Sequence, residues 1–251
     1  MTESPLFCYT LRLADNALIL GHRLSEWCGH APVLEEDLAL ANMALDLIGQ
    51  ARSFYSYAGE MEGRGRDEDA LAYLRDAREF HNVLLVEQPN GDFALTILRQ
   101  LFFAAFAHPY FQKLAHSQDQ TLAAIAAKAE KEMAYHLRHA AEWAIRLGDG
   151  TDESHRRAQD AVDELMPYTG ELFESDQIER TLIETGVAPE PASVRPLWDG
   201  AIDKLLMEAT LTRPRQNYMQ TGGRSGKHSE HLGHLLAELQ FLQRAYPGAT
   251  W

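Results

Sequence analysis

The sequence predicts a protein built almost entirely of α-helices, folded as one helical bundle over residues 1–251. Alternation of apolar and polar residues with a period of two, which marks half-buried strands, is scarce along the chain. The long segments are instead rich in Ala, Leu, Gln, Glu and Arg, which lose little side-chain entropy in a helix. Each segment runs for roughly 18 to 30 residues before a break, a length that suits the helices of a bundle.

Short stretches with Gly, Pro and charged residues divide the chain, and the segments between them define the predicted helices. These helices cover residues 11–28, 35–60, 91–114, 121–147, 154–168, 194–211 and 229–245. No repeat of fixed period and no shift in composition argues for a second core. We therefore expect a single helical domain.

Composition excludes several functional classes. The chain has 37 acidic and 23 basic residues, a formal charge of -14, which repels phosphate backbones and anionic lipids. Cys8 and Cys28 are too few for a disulfide scaffold, and the N-terminus lacks the pattern of a secretory leader. The apolar run at residues 101–107 is far shorter than the roughly 20 residues that cross a bilayer. The sequence predicts a cytoplasmic protein that binds neither nucleic acid nor membrane.

Two predicted helices carry polar residues within apolar surroundings. Helix 35–60 is apolar nearly all round, so we expect burial on most sides. A polar stripe nevertheless follows it at helical spacing: Asn42, Asp46, Gln50 and Ser53. Helix 91–114 is equally apolar and contains a polar group: Thr96, Arg99 and Gln100. Because buried polar groups need partners, we predict that Asp46 pairs with Arg99 or Arg52 inside the bundle.

The stretch KEMAYHLRH, at residues 131–139, combines an acid with two histidines on one predicted helix. Di-iron and di-manganese bundles use Glu-x-x-His, because that spacing places both ligands on one inward face. The apolar stripe of this helix, however, puts Met133 and His136 toward the core, with Glu132 roughly 100° round from Met133. The inward pair is Met-His, and a thioether is a poor ligand for oxygen-activating iron. We therefore predict a hydrogen-bonded core histidine.

Two further clusters have a functional and a structural interpretation. KHSEHLGH spaces three histidines by three residues, which permits zinc binding, but without an inward acid or cysteine it favours a solvated or interface role. The preceding GGRSGK lacks the spacing of a phosphate-binding loop. Arg78, Phe80, His81 and Asn82 could contact a ligand or a partner chain, or simply connect two helices.

Four blocks of sequence resemble a known family. They are LRLADNALILGHRLSEWCGHAPVLEEDLALANMALDLIGQARSFYSYA, LLVEQPNGDF, KEMAYHLRH and TGGRSGKHSEHLGHLLAELQFLQRAYPG. They are similar to the non-catalytic C subunits of bacterial ring 1,2-phenylacetyl-CoA epoxidases, over essentially the whole chain. The resemblance implies a ferritin-like bundle without a catalytic metal. It also implies a homologous catalytic oxygenase subunit, which holds the di-iron site and the CoA thioester.

The resemblance can be followed at each ligand position of the catalytic relative. Where that relative carries S-E-x-x-G, this chain keeps Glu26. Where it carries D-E-x-G-H, this chain has DLIGQ, with Leu47 and Gln50 at the ligand positions. Where it carries K-E-E-x-x-H, this chain has KEMAYH, with Met133 replacing glutamate and His136 retained. The acid of the remaining helix has no evident counterpart. The comparison implies a degenerate former metal site.

Two hypotheses follow. The first is a structural, metal-free and itself non-catalytic subunit in aerobic phenylacetate catabolism, which packs against and stabilises the catalytic di-iron subunit. The resemblance then assigns NADPH, flavin and iron-sulfur centres to a separate reductase, and leaves open a contact with phenylacetyl-CoA. The alternative is a free-standing metalloenzyme that uses Glu26, Glu132 and His136, with Asp46 as a further candidate ligand.

Overall fold

The computed structural model describes residues 4–215 and 218–249. Within these ranges the chain forms α-helices joined by turns and short 3₁₀ segments, and no strand. The α-helices are α1 (Pro5–Ser25), α2 (Leu34–Glu62), α3 (Glu68–Tyr73), α4 (Leu84–Glu87), α5 (Phe93–Leu114), α6 (Gln120–Gly148), α7 (Asp152–Leu165), α8 (Gln177–Glu184), α9 (Arg195–Glu208), α10 (Glu230–Leu239) and α11 (Phe241–Ala245). The 3₁₀ segments are Ala77–Glu79, Met166–Tyr168, Gly170–Phe173, Pro191–Val194 and Gly223–Ser225.

Four long helices form the bundle. Helix α1 packs along α2, α5 packs along α6, and α2 contacts α6 to join the two pairs. Residues 63–92, which include α3 and α4, connect α2 to α5. One long crossover between two helix pairs is the connectivity of ferritin-like bundles. The predicted fold class is therefore confirmed.

The ends of the bundle helices follow from capping side chains. The Ser4 hydroxyl accepts a hydrogen bond from the Phe7 amide, and Pro5 occupies the first helical turn. Helix α1 therefore begins at Pro5, whereas the predicted helix starts at residue 11. Asp92 caps α5 and Asp119 caps α6, in each case through a carboxylate that accepts backbone amides. Capping side chains thus fix the starts of α1, α5 and α6, whereas α2 begins after Val33 without a side-chain cap.

The predicted helix 229–245 is wrong in one respect, because it consists of two helices. Helix α10 ends before Gln240, and α11 starts after it. The Gln240 amide nitrogen donates to the carbonyl oxygens of Ala72 and Arg75, so this buried side chain ties the break to the crossover. The sequence prediction also missed the short helices α3, α4 and α8.

Helix α5 lies at the centre of the molecule and is buried along nearly its whole length. Helices α6, α7 and α9 all pack against it. Trp198 of α9 is buried, and its indole nitrogen donates to the carbonyl oxygen of Phe102 at 2.9 Å. In the described part of the chain, no helix combines the length and apolarity needed to cross a bilayer.

The outward face of α2 contradicts the prediction that this helix is buried on most sides. Leu34 is 71% exposed, Leu38 57%, Leu45 65% and Ile48 40%. The opposite face of the same helix is packed in the core. Both faces of α2 carry apolar side chains, but only one face packs inside the bundle and the other lies at the surface.

Candidate functional site: the bundle core around His136

His136 joins three of the bundle helices. Its imidazole is fully buried on α6. Its Nδ1 lies 3.0 Å from the amide nitrogen of Gln100 on α5, and its Nε2 lies 3.1 Å from a carboxylate oxygen of Asp46 on α2. With the Gln100 amide donating to Nδ1, the ring proton is on Nε2 and is donated to Asp46. Both ring nitrogens therefore have protein partners.

The predicted pairing of Asp46 with Arg99 or Arg52 is wrong. Arg52 points outward and forms an ion pair with Glu68 at 3.2 Å. Arg99 is fully buried but donates to the carbonyl oxygen of Pro89 at 3.2 Å, to the Gln88 carbonyl, and to the Asn90 side chain at 2.6 Å. Burial among these neutral acceptors lowers the pKa of Arg99 to about 9.

The predicted phase of α6 is confirmed. Met133 and His136 are both fully buried, whereas the Glu132 side chain lies at the edge of the core. A Glu132 carboxylate oxygen accepts a hydrogen bond from the Gln50 amide at 2.8 Å. Leu47, one helical turn before Gln50, is fully buried and apolar. Three former ligand positions inferred from the resemblance therefore carry an amide, a thioether and an aliphatic side chain.

Glu26 lies in a different group of residues. It follows the last turn of α1, where its carboxylate accepts hydrogen bonds from Arg23 at 3.0 Å and from Asn90 at 2.8 Å. Among the described contacts, none of its hydrogen bonds reaches Glu132 or His136. The structure thus does not bring together the ligand set of the alternative hypothesis.

Sequence reasoning placed Gln100 in a buried polar group but did not identify it as a partner of His136. It is the α5 side chain that faces His136, on the helix where no counterpart of the fourth acid is evident. The polar group within this apolar helix is the available signal. Each of its members has a separate partner: Thr96 accepts from the Trp27 indole at 3.0 Å, Arg99 binds the crossover, and Gln100 binds His136.

The chemistry of these side chains does not fit a di-iron centre. Such a centre takes four carboxylates and two imidazoles directed at the bundle axis. Here one imidazole and one carboxylate meet, the Glu132 carboxylate binds the Gln50 amide at the edge of the core, and Leu47 and Met133 carry no carboxylate. Residues 4–215 and 218–249 contain no group of three or more His, Cys, Asp or Glu side chains placed to hold a metal ion.

Comparison with known proteins decides the family. A family model described as "Phenylacetic acid catabolic protein" matches residues 1–251. This chain belongs to that family. Among its relatives, the C subunit of the 1,2-phenylacetyl-CoA epoxidase of Escherichia coli (strain K12) is 54% identical over 248 residues, which cover 99% of this chain and 100% of the relative.

This member of the phenylacetic acid catabolic protein family packs the segment containing Arg78, Phe80, His81 and Asn82 beneath the GGRSGK loop. Phe80 and Asn82 are fully buried, His81 is half-buried, and Arg78 is exposed. A Cβ added to Gly223 would lie 2.2 Å from the Asn82 carbonyl oxygen, so only glycine permits this approach. Phe80 and Asn82 hold two segments together, while a ligand contact of this segment stays a prediction.

The three spaced histidines do not share a helical face. His228 precedes α10, and its side chain is buried, so a solvated role for this residue is wrong. Its Nδ1 lies 2.7 Å from a Glu87 carboxylate oxygen and its Nε2 lies 2.8 Å from the Phe80 carbonyl oxygen. His231 is half-buried and His234 is exposed. Sequence reasoning gave no signal for Glu87, which is 141 positions from His228.

Proposed function

We propose that this chain is the structural, non-catalytic subunit of a phenylacetyl-CoA epoxidase complex in phenylacetate catabolism. It packs against the catalytic oxygenase subunit, holds that subunit in its active arrangement, and binds no metal of its own. Iron would reside in the partner, and NADPH, flavin and iron-sulfur chemistry in a separate reductase. Epoxidation of the aromatic ring would then occur outside this chain.

The observation that carries the proposal is the set of side chains around His136. Asp46 and Gln100 occupy both nitrogens of this imidazole, and the positions equivalent to ligands hold Leu47 and Met133. A neutral imidazole that donates to one neighbour and accepts from another is a cross-link between helices rather than an open ligand. The similar protein from Escherichia coli is named as one subunit of an epoxidase, which agrees with this role.

A bundle with such a core folds without metal. Carboxylates packed around a di-iron site repel one another unless cations neutralise them, because a buried unpaired charge is costly. Leu47 and Met133 place apolar groups at these positions, and both are fully buried. The chain is therefore suited to be a stable scaffold whose folding does not depend on iron supply.

Co-expression with the catalytic subunit of the same epoxidase tests the proposal. An affinity tag is placed on the catalytic subunit, and the purified material is analysed by gel filtration. We expect both chains to elute in one peak with defined stoichiometry, and the tagged subunit on its own to be less soluble or less stable to heat. Elution of this chain as a separate peak, with an unchanged catalytic subunit, would contradict the proposal.

A further inference from the structure

The outward face of α2 is an apolar stripe in a chain that is otherwise strongly acidic. Its members are Leu34, Leu38, Ala41, Leu45 and Ile48, and all but the half-buried Ala41 are exposed. Exposed apolar side chains scattered singly are ordinary, whereas a contiguous row on one helix marks a surface that another molecule covers. We call this row the α2 stripe.

The spacing of the α2 stripe indicates that a helix would cover it. Its members are separated by four, three, four and three residues, which is the heptad pattern of one helix packing along another. From Leu34 to Ile48 the row extends for about 20 Å at 1.5 Å per residue. A helix of similar length, laid nearly parallel to α2, would bury the whole row.

A shallow groove beside the stripe supports the same geometry. It measures about 240 Å³ and lies between α2 and α6, lined by residues that include Gly49, Ser53 and Ala124. A Cβ added to Gly49 would meet no atom within 4 Å, so the position is open to an incoming side chain. Small residues along a helix groove let a second helix approach closely.

Charge distinguishes among the helices that could bind there. Between residues 31 and 51 the chain contains acids, among them the exposed Glu35 and the partly exposed Asp46, and no Lys or Arg. Beyond this segment, Arg52 of α2 and Lys128 of α6 both pair with acids of this chain. A second copy would set acid against acid in molecules that each carry a charge of -14. A partner with basic flanks is favoured instead.

We propose that the α2 stripe is the surface through which this chain binds the catalytic oxygenase subunit, with an amphipathic helix of that subunit as its occupant. The helix presents an apolar row to the stripe, inserts a side chain beside Gly49, and places Lys or Arg residues against Glu35 and Asp46. This inference rests on the proposed function, because the partner is the one named there.

Titration calorimetry with purified chains, in which the catalytic subunit is the titrant, tests the surface. Leu38→Arg adds a charge at the centre of the stripe, and we expect at least a tenfold loss of affinity. Leu74→Arg is the matched control, since Leu74 is 59% exposed against 57% for Leu38 but lies after α3. We expect Leu74→Arg to bind like the wild type.

A second variant, Gly49→Leu, tests the same surface with a substitution that should not disturb folding. The new side chain enters open space and raises helix propensity, so thermal stability should not fall, while the filled groove should weaken binding at least tenfold. Glu35→Lys should weaken binding about threefold at low salt and less at high salt, because the contact is screened.

The outcomes separate the two proposals. If the wild type fails to bind the catalytic subunit, the proposed function is wrong. If the wild type binds, but Leu38→Arg and Gly49→Leu bind equally well, the function stands and the α2 stripe is not the interface. A concentration-dependent homodimer that Leu38→Arg dissociates would also overturn this inference, because the occupant would be a second copy.

Discussion

Two carboxylate–imidazole pairs lie in different environments of the fold. His136 accepts from Gln100 and donates to Asp46, whose side chain is 36% exposed. His228 faces two acceptors, the Glu87 carboxylate and the Phe80 carbonyl, an arrangement that favours the doubly protonated ring. The carboxylate of the first pair is partly exposed to water, whereas the carboxylate of the second pair is fully buried and its imidazole has only acceptors around it.

The difference shows that residue type alone does not predict chemistry. KEMAYHLRH looks like a metal-binding stretch, yet its inward histidine is a neutral cross-link between helices. Glu87 belongs to no motif, yet it accepts hydrogen bonds from Asn82, from the Ser229 amide and hydroxyl, and from His228. The number and kind of partners around each carboxylate decide its contribution to stability.

Removal of the buried carboxylate should have the largest effect. Glu87→Ala leaves the buried donors of Asn82, His228 and the Ser229 amide without their acceptor, so we expect a loss of about 3–5 kcal/mol in the free energy of unfolding. Urea denaturation monitored by circular dichroism measures it. Glu153→Ala, at an exposed carboxylate paired with Arg156 and Arg157, is the control and should leave the midpoint unchanged. Equal midpoints for both variants would show that Glu87 is not a stabilising centre.

The second prediction concerns pH. Burial alone would lower the pKa of His228, but the hydrogen bond and charge of Glu87, with the Phe80 carbonyl, outweigh burial and raise this pKa above 6.5. Since the folded pKa exceeds the unfolded one, the stabilisation is complete below pH 6.5 and disappears as pH rises through the folded pKa.

Comparison with His228→Gln isolates this effect. We expect the difference in free energy of unfolding between wild type and His228→Gln to be largest near pH 6 and to shrink by pH 9. Urea midpoints measured at intervals across this range give the curve. A difference that stays constant with pH would mean that His228 does not change charge between the two states.

The smallest effect should come from the other pair. Asp46→Ala removes the acceptor of the His136 ring proton, but the site is partly exposed to water, so we expect a loss of about 1–2 kcal/mol. Asp46→Asn retains an acceptor oxygen and should lose less. If Asp46→Ala destabilised the chain as much as Glu87→Ala, the contrast between the two pairs would be wrong.

Local periodicity predicts most of the fold. The long helices and the inward phase of Met133 and His136 follow from spacings of three and four residues, which depend only on helix geometry. The prediction fails where tertiary contacts decide. Gln240 breaks the last helix because it bonds to Ala72 and Arg75, which the local pattern cannot show.

The candidate site is less predictable because its contacts are long-range. Asp46 binds His136 because α2 packs against α6 at this position. Arg99 instead binds residues of the crossover, such as Asn90. Apolar residues lie on all sides of α2, so their pattern cannot distinguish the side that packs in the core from the side that is exposed.

The iron content of the purified chain tests the central claim most directly. The chain is incubated with ferrous iron under anaerobic conditions, desalted, and measured by plasma emission spectrometry beside a His136→Gln variant. We predict the same background iron in both proteins, because the wild-type chain has no site to lose. Stoichiometric iron in the wild type that disappears in His136→Gln would show that this chain is itself a metalloprotein.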